Sequence, residues 1–256
     1  MPYFTTREGK IFYDEKGSGA NSLVFIHGAQ GSHRLWERQV PFFSSEYRVI
    51  SLDVRGHGSS FKPKTGYQME KMVEDVRKLL DYLDTKKAVL IGSSMGGVIA
   101  QMFAYTYPKR VIALGLVGTL AKAVWLDAPE KHAEGVARNG YEKGVRSWFT
   151  PHSKRRDIQF ALVEGARVSP HFRTGVILEN PEWDIRNKIS RIAVPTLIVV
   201  GKEDINTTPV KESKIIHRKI PNSTMHIIPS AGHLVMLEQP EIFNKMLYEF
   251  LKANGI

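Results

Sequence analysis

The hydrophobic residues of the chain fall into short runs, and segments of helical periodicity lie between them. Short apolar runs closed by glycine or small polar residues are typical of buried strands. The runs are Leu23–Ile26, Val49–Leu52, Ala88–Ile91, Val111–Val117, Thr196–Val200 and Met225–Ile228. Because strands alternate with helices, the pattern predicts an α/β fold with a mainly parallel sheet that helices cover on both faces.

Two of the segments between these runs carry apolar residues at helical spacing. Met69–Leu83 has them at intervals of three and four residues, and the pattern of Val98–Tyr107 continues until Pro108. Proline lacks a backbone N–H and cannot continue a helix, so the second helix is predicted to end there.

The alternation of strands and helices stops between Leu120 and Ile192. This stretch has several glycines and three tryptophans, but no clear strand. We expect it to be a helical insertion that lies over the sheet. The predicted organisation is therefore a core domain of residues 1–119 and 193–256 and a cap of residues 120–192.

Composition narrows the classes of function. The chain of 256 residues has 36 Lys and Arg against 26 Asp and Glu. The net charge of +10 favours anionic substrates, polyanions or an acidic membrane surface without naming one. It has no cysteine, which excludes disulfides, thiolate nucleophiles and cysteine-ligated zinc. We find no signal-peptide pattern, no apolar stretch of membrane-spanning length and no nucleic-acid-binding module, and expect a cytoplasmic protein that binds neither membrane nor nucleic acid.

The densest chemical signal follows the run Ala88–Ile91. The residues Gly92-Ser93-Ser94-Met95-Gly96 form a G-x-S-x-G sequence between a predicted strand and a predicted helix, which is the context that this motif requires. The turn is so tight that the residues two before and two after its centre must lack side chains. Centring on Ser94 places glycines there, whereas centring on Ser93 would not. Ser94 is therefore the candidate nucleophile.

A serine hydroxyl needs a base to take its proton and an acid to hold that base. Among nine histidines, His233 fits best, because it lies in a loop of small residues after the last predicted strand. Asp204 follows the strand Thr196–Val200, and Glu203 is the alternative acid. We predict a triad of Ser94, His233 and Asp204. The competing interpretation of Asp204 is a helix cap or turn residue with a structural role.

Two further strand ends carry polar residues and glycines. The loop after Leu23–Ile26 supplies Ala29, whose backbone N–H is predicted to form an oxyanion hole with the N–H of Met95. His27 is interpreted as a structural support of that loop. The turn that contains Asp53 and His57 is also interpreted as scaffolding, although this acid and histidine are the next pair to consider for catalysis.

With these motifs in place, the chain resembles the α/β-hydrolase fold superfamily over essentially its whole length. The matching segments are residues 27–31, 53–60, 92–97, 201–204 and 231–233. The resemblance implies an eight-stranded, mostly parallel sheet whose first two strands lie within Tyr3–Glu15. It also implies a helical cap, here Leu120–Ile192, inserted after the sixth strand.

A finer likeness is to 3-oxoadipate enol-lactonases and the small carboxylesterases grouped with them. It lies in residues 94–101, 139–151 and 184–186. The loop His27-Gly28-Ala29 has the commoner esterase form, where the enol-lactonases usually have Ser-Leu-Gly. Esters and lactones therefore both remain as substrates.

The predicted function is hydrolysis of a small-molecule ester or lactone through an acyl-enzyme, without a metal or an organic cofactor. Trp125 is our candidate for a wall of the substrate pocket, and packing within the cap is the alternative role. Epoxide hydrolases and haloalkane dehalogenases of this fold use an aspartate as nucleophile, so Ser94 argues against both. Alternatives are a carbon–carbon bond hydrolase or perhydrolase with the same triad, and a non-catalytic ligand receptor. The sequence is compatible with a homo-oligomer.

Overall fold

A computed structural model describes residues 2–124 and 126–256. Within these residues a single sheet of eight strands has the order β1-β2-β4-β3-β5-β6-β7-β8. The strands are β1 (Tyr3–Thr5), β2 (Lys10–Lys16), β3 (Ser22–Ile26), β4 (Arg48–Leu52), β5 (Ala88–Ser93), β6 (Val111–Val117), β7 (Thr196–Gly201) and β8 (Ser223–Ile228). Each apolar run of the sequence lies within one of the strands β3 to β8.

The sheet is mainly parallel, as predicted. Strands β3 to β8 pair in parallel, whereas β1 pairs antiparallel with β2 and β2 pairs antiparallel with β4. The carboxyl ends of β3 to β8 therefore share one edge of the sheet, which is where open α/β sheets place their ligands.

Helices cover both faces of the sheet. They are α1 (Val40–Phe43), α2 (Met69–Tyr82), α3 (Met95–Thr106), α4 (Pro129–Arg146), α5 (Arg155–Ala166), α6 (Pro170–Leu178), α7 (Val210–Lys219), α8 (Val235–Glu238) and α9 (Pro240–Ala253). Short 3₁₀ turns lie at His33–Trp36, Pro108–Arg110 and Ile189–Arg191. None of the helices in the described part of the chain has the length and apolar character needed to cross a membrane.

The side chains of β3 show how the strands build two cores. Val24 and Ile26 belong to the apolar cluster formed with α2 and α3, whereas Leu23 and Phe25 belong to the cluster formed with α1 and α9. Successive side chains of a strand point to opposite faces, so a wholly apolar run fills both layers.

The segment between β6 and β7 contains helices α4, α5 and α6, and α4 packs against the other two. Helix α4 is kinked at Gly140, where φ is 65°. Two ion pairs attach α5 to the core: Arg34 to Glu164 at 2.8 Å and Arg38 to Asp157 at 2.5 Å. Both carboxylates are buried. The segment is thus held against the core, while its status as a separate cap domain stays a prediction.

Candidate active site

Ser94 occupies a strained turn between β5, which ends at Ser93, and α3, which begins at Met95. Its φ of 53° and ψ of −118° lie where residues with a side chain are rarely found. The flanking glycines make the turn possible. A Cβ at Gly92 would lie 2.2 Å from the carbonyl oxygen of Gly96, and a Cβ at Gly96 would lie 2.1 Å from that of Ile26.

The two serines of the turn have different environments. Ser93 is the last residue of β5 and is fully buried, and its hydroxyl has no hydrogen-bond partner. Ser94 is only half-buried, so its hydroxyl can meet a substrate. The helix also begins three residues before the predicted Val98, because the turn that ends at Ser94 leads directly into α3.

The end of β6 holds the backbone of Ser94 on both sides. The N–H of Ser94 donates to the carbonyl oxygen of Val117 at 2.8 Å. The hydroxyl of Thr119 donates to the carbonyl oxygen of Ser94 at 2.7 Å. Because these bonds fix the peptide groups before and after Ser94, they stabilise its left-handed conformation.

Asp204 and His233 form a buried pair at the ends of β7 and β8. The Nδ1 of His233 lies 2.7 Å from Oδ2 of Asp204, and the two residues are 1% and 4% exposed. A carboxylate at Nδ1 holds the ring proton on that nitrogen. The Nε2 atom is then left as the acceptor that a general base needs.

Three more donors hold the Asp204 carboxylate. The N–H groups of Thr207 and Thr208 donate to Oδ1 at 3.2 and 3.1 Å, and the Thr208 hydroxyl donates to Oδ2. Burial alone would raise the pKa of Asp204, but the charge and hydrogen bond of His233 and the bonds from Thr208 outweigh it and lower that pKa. The acid is therefore ionised over the pH range in which a histidine titrates.

The residue after β6 connects this pair with Ser94. A Cβ at Gly118 would lie 3.1 Å from the carbonyl oxygen and 3.3 Å from Nδ1 of His233. The preceding residue, Val117, accepts the backbone hydrogen bond of Ser94. Ser94 and His233 thus flank the same short segment, at the carboxyl edge of the sheet.

The predicted oxyanion loop lies against Ser94. A Cβ at Gly28 would be 3.1 Å from the Cβ of Ser94, so this position needs the absence of a side chain. Ala29 is half-buried and Met95 is 6% exposed. The structure thereby places the backbone of both predicted donors beside the turn of Ser94.

A sequence profile of the α/β hydrolase fold matches residues 21–168, more than half of the chain. The chain belongs to the α/β hydrolase family. A protein of Bacillus subtilis (strain 168), provisionally named 2-succinyl-6-hydroxy-2,4-cyclohexadiene-1-carboxylate synthase, is 30% identical over 94% of this chain and 93% of its own length.

An enol-lactonase and a protein of known structure are also similar to this α/β hydrolase. The 3-oxoadipate enol-lactonase 2 of Acinetobacter baylyi is 29% identical over 90% of this chain and 88% of its own. The solved structure of Est816, described as an N-acyl homoserine lactone degrading enzyme, is 30% identical with a TM-score of 0.85. The alignment covers 97% of this chain and 100% of Est816. These relatives support the assignment of the chain to the hydrolases.

His27 orients the predicted oxyanion loop of this α/β hydrolase. Its Nδ1 donates to the carbonyl oxygen of Gly28 at 2.8 Å, and its Nε2 accepts the N–H of Val54 at 3.0 Å. Because the Gly28 carbonyl points toward His27, the N–H of Ala29 on the same trans peptide points the opposite way. Burial lowers the pKa of His27 to about 3, so the ring is neutral and keeps these two roles.

Asp53 and His57 complete a buried polar group behind this loop. Oδ1 of Asp53 accepts from the backbone and the ring of His33 at 2.7 and 2.8 Å, and Oδ2 accepts from the N–H of Ser59. The Nε2 of His57 lies 2.8 Å from the carbonyl oxygen of Ala29. These contacts tie two loops together, and they occupy the groups that a second acid–base pair would need.

Trp125, the predicted pocket wall, lies outside the described residues. Among the described residues there is no group of three or more histidine and acidic side chains placed to hold a metal. Sequence reasoning missed Thr119, Thr208 and Glu238, which contact the backbone or side chains of the candidate triad and its loops. The only available signal was their position shortly after a strand end or a candidate catalytic residue.

Proposed function

We propose that this α/β hydrolase cleaves carboxylic esters or lactones by a serine mechanism. The observation that carries the proposal is the strained, half-buried Ser94 at the sheet edge that also holds the buried Asp204–His233 pair. A non-catalytic ligand receptor would not need a serine held in a left-handed turn at the same sheet edge as an oriented histidine.

In the first step, Oγ of Ser94 attacks the carbonyl carbon of the substrate and His233 takes its proton on Nε2. The negative charge that develops on the carbonyl oxygen accepts hydrogen bonds from the N–H groups of Ala29 and Met95. Asp204 stabilises the resulting imidazolium. The carbon–oxygen bond to the leaving alcohol then breaks, and His233 returns its proton to that alcohol oxygen.

In the second step, His233 takes a proton from water, and the hydroxide attacks the ester carbonyl of the acyl-enzyme. The bond to Ser94 breaks, Oγ recovers the proton from His233, and the carboxylic acid leaves. With a lactone, the alcohol and the acid are parts of one molecule, so the product is a single hydroxy acid.

Small substrates are favoured by the segment between β6 and β7. It reaches the histidine loop, because the N–H of His233 donates to the carbonyl oxygen of Trp148 at 2.7 Å. Helices α4 to α6 then form a cap over the carboxyl edge and limit the length of the acyl chain. The names of the enol-lactonase and Est816 support lactones as one substrate class.

The test is a hydrolysis panel of p-nitrophenyl esters of increasing acyl length, simple lactones and 3-oxoadipate enol-lactone. We expect short esters or lactones to be hydrolysed and Ser94→Ala to lose on the order of 10⁶-fold in kcat. Ser93→Ala, the matched control, should retain activity. If Ser94→Ala turns over every substrate at the wild-type rate, the proposal is wrong. Reactions with added peroxide test for perhydrolase activity, and a substrate with a cleavable carbon–carbon bond tests for carbon–carbon bond hydrolysis.

A further inference from the structure

The loop that carries His233 is held by a carboxylate and by the cap, in addition to Asp204. The N–H of His233 donates to the carbonyl oxygen of Trp148, and the N–H of Gly232 donates to Oε1 of Glu238 at 3.0 Å. Ser153, in the segment before α5, donates its hydroxyl to Oε2 of Glu238 at 2.5 Å. Both oxygens of this half-buried carboxylate are therefore used.

Ser153 is itself fixed in a turn. Its Oγ accepts the N–H of Thr150 at 2.8 Å, and its own N–H donates to the carbonyl oxygen of Thr150 at 3.1 Å. Because an ionised carboxylate can only accept hydrogen bonds, the Ser153 hydroxyl is the donor to Glu238. The bond between the cap segment and Glu238 thus has a defined direction.

The packing leaves the histidine loop little freedom. A Cβ at Gly232 would lie 2.2 Å from the carbonyl oxygen of Trp148 and 3.2 Å from Oε1 of Glu238. The rings of Trp148 and His233 are in contact, with centroids 5.4 Å apart. A shift of this backbone toward the Trp148 carbonyl would tighten a contact that is already close. A shift away from Trp148 or from Glu238 would break a hydrogen bond.

We propose that Glu238 is a positioning residue for His233, and that Ser153 and the Trp148 carbonyl make the cap part of the support of the catalytic base. Asp204 fixes the imidazole ring at Nδ1, whereas Glu238 and Trp148 fix the backbone that carries it. This inference rests on the proposed function, because positioning matters only if His233 transfers the Ser94 proton.

The carboxylate also acts through its charge. Among the described residues, Asp204 contacts the His233 ring from the loop after β7, and Glu238, on α8, is bound to the N–H of the adjacent Gly232. Burial raises the pKa of Glu238, while the bonds from Ser153 and Gly232 and the charge of His233 oppose that increase. A negative charge here favours the imidazolium that forms when Ser94 loses its proton.

The test compares Glu238→Gln, Ser153→Ala and Ser153→Thr with the control Glu241→Gln, whose glutamate is exposed at the start of α9. All rates are normalised to the sites that a serine-directed phosphonate titrates. We expect Glu238→Gln to lose about 10- to 100-fold in kcat with KM unchanged, because a displaced base slows only the chemical step. Ser153→Ala should lose less, Ser153→Thr should restore the rate, and Glu241→Gln should match wild type.

The pH profile separates positioning from a general loss of stability. The acid limb of kcat/KM should move to lower pH in Glu238→Gln, since the imidazolium loses a nearby negative charge. If Glu238→Gln lowers only Tm, while kcat per titrated site and the acid limb stay at wild-type values, the inference is wrong. Should that variant fail to fold, an unchanged kcat in Ser153→Ala would overturn it. If wild type itself does not react with the phosphonate, the proposed function fails instead.

Discussion

Lowering the pH from 7.5 to 5.0 should destabilise the protein through His27. His27 is fully buried, and burial, reinforced by the charge of His57, lowers its pKa to about 3 from the ordinary 6.5. Between these two values the unfolded chain binds a proton at this residue and the folded protein does not. The contribution of the neutral His27 to the free energy of unfolding is therefore fully present above pH 6.5. It is lost progressively as the pH falls from 6.5 toward 3.

The size of the effect follows from the pKa. Each pH unit below 6.5 costs about 1.4 kcal/mol of unfolding free energy per such histidine, so pH 5.0 costs about 2 kcal/mol through His27 alone. His57 adds to the loss, because burial lowers its pKa as well. The pKa of Asp204 is lowered, so its contribution to stability is kept at pH 5 and lost only below its ordinary value of 3.8.

Urea unfolding at constant ionic strength, at pH 7.5, 6.0 and 5.0, measures this loss. His27→Gln keeps a donor and an acceptor but does not titrate, so its loss between pH 7.5 and 5.0 should be about 2 kcal/mol smaller than that of wild type. His171→Gln is the matched control, because His171 is exposed, and it should lose as much as wild type. Equal losses in wild type and His27→Gln would refute the assignment of a neutral, buried His27.

Three further changes test the turn and the acid. Gly92→Ala places a Cβ 2.2 Å from a backbone oxygen, so Tm and activity should both fall. Gly135→Ala is the control, because nothing lies within 4 Å of a Cβ at that position, and it should leave both intact. Thermal unfolding and an esterase assay measure the two effects. Asp204→Asn should lower kcat by about 10⁴-fold, as the same change does in a serine protease, whereas Glu203→Gln should lower it far less. If Glu203→Gln causes the larger loss, Glu203 is the acid of the triad. Thr208→Val removes a hydrogen bond to the charged Asp204 and should lower kcat/KM about 10-fold or more. Thr208→Ser keeps the hydroxyl and should keep the wild-type kcat/KM. Equal kinetics for the two variants would show that the hydroxyl is dispensable.

Those parts of the molecule that depend on local pattern could be predicted from the sequence. Strands β3 to β7 are buried on both faces, so each contains a continuous apolar run that stands out from its surroundings, whereas the edge strand β8 is largely exposed. The turn of Ser94 is defined by glycines within four residues of chain. Asp204 and His233 could be placed because the topology brings successive strand ends to one edge of the sheet.

The contacts that depend on packing could not be predicted. Glu238 is bound to Ser153, 85 residues earlier in the chain, and nothing near either residue indicates the other. Thr208 resembles an ordinary residue before a helix, although its hydroxyl lies on Asp204. The ends of α4 to α6 could not be predicted either. Helix α4, for example, consists of two helical segments that meet at Gly140, whose φ of 65° is not helical.

The central claim is that Ser94 is a nucleophile activated by His233, and covalent labelling tests it most directly. Wild-type protein treated with a fluorophosphonate should gain one adduct, which peptide mass spectrometry should map to Ser94. Ser93→Ala should label at the wild-type rate, Ser94→Ala should not label, and His233→Ala should label far more slowly because no base takes the proton. An adduct on Ser93, or hydrolysis of esters by a protein that gains no adduct at Ser94, would contradict the account.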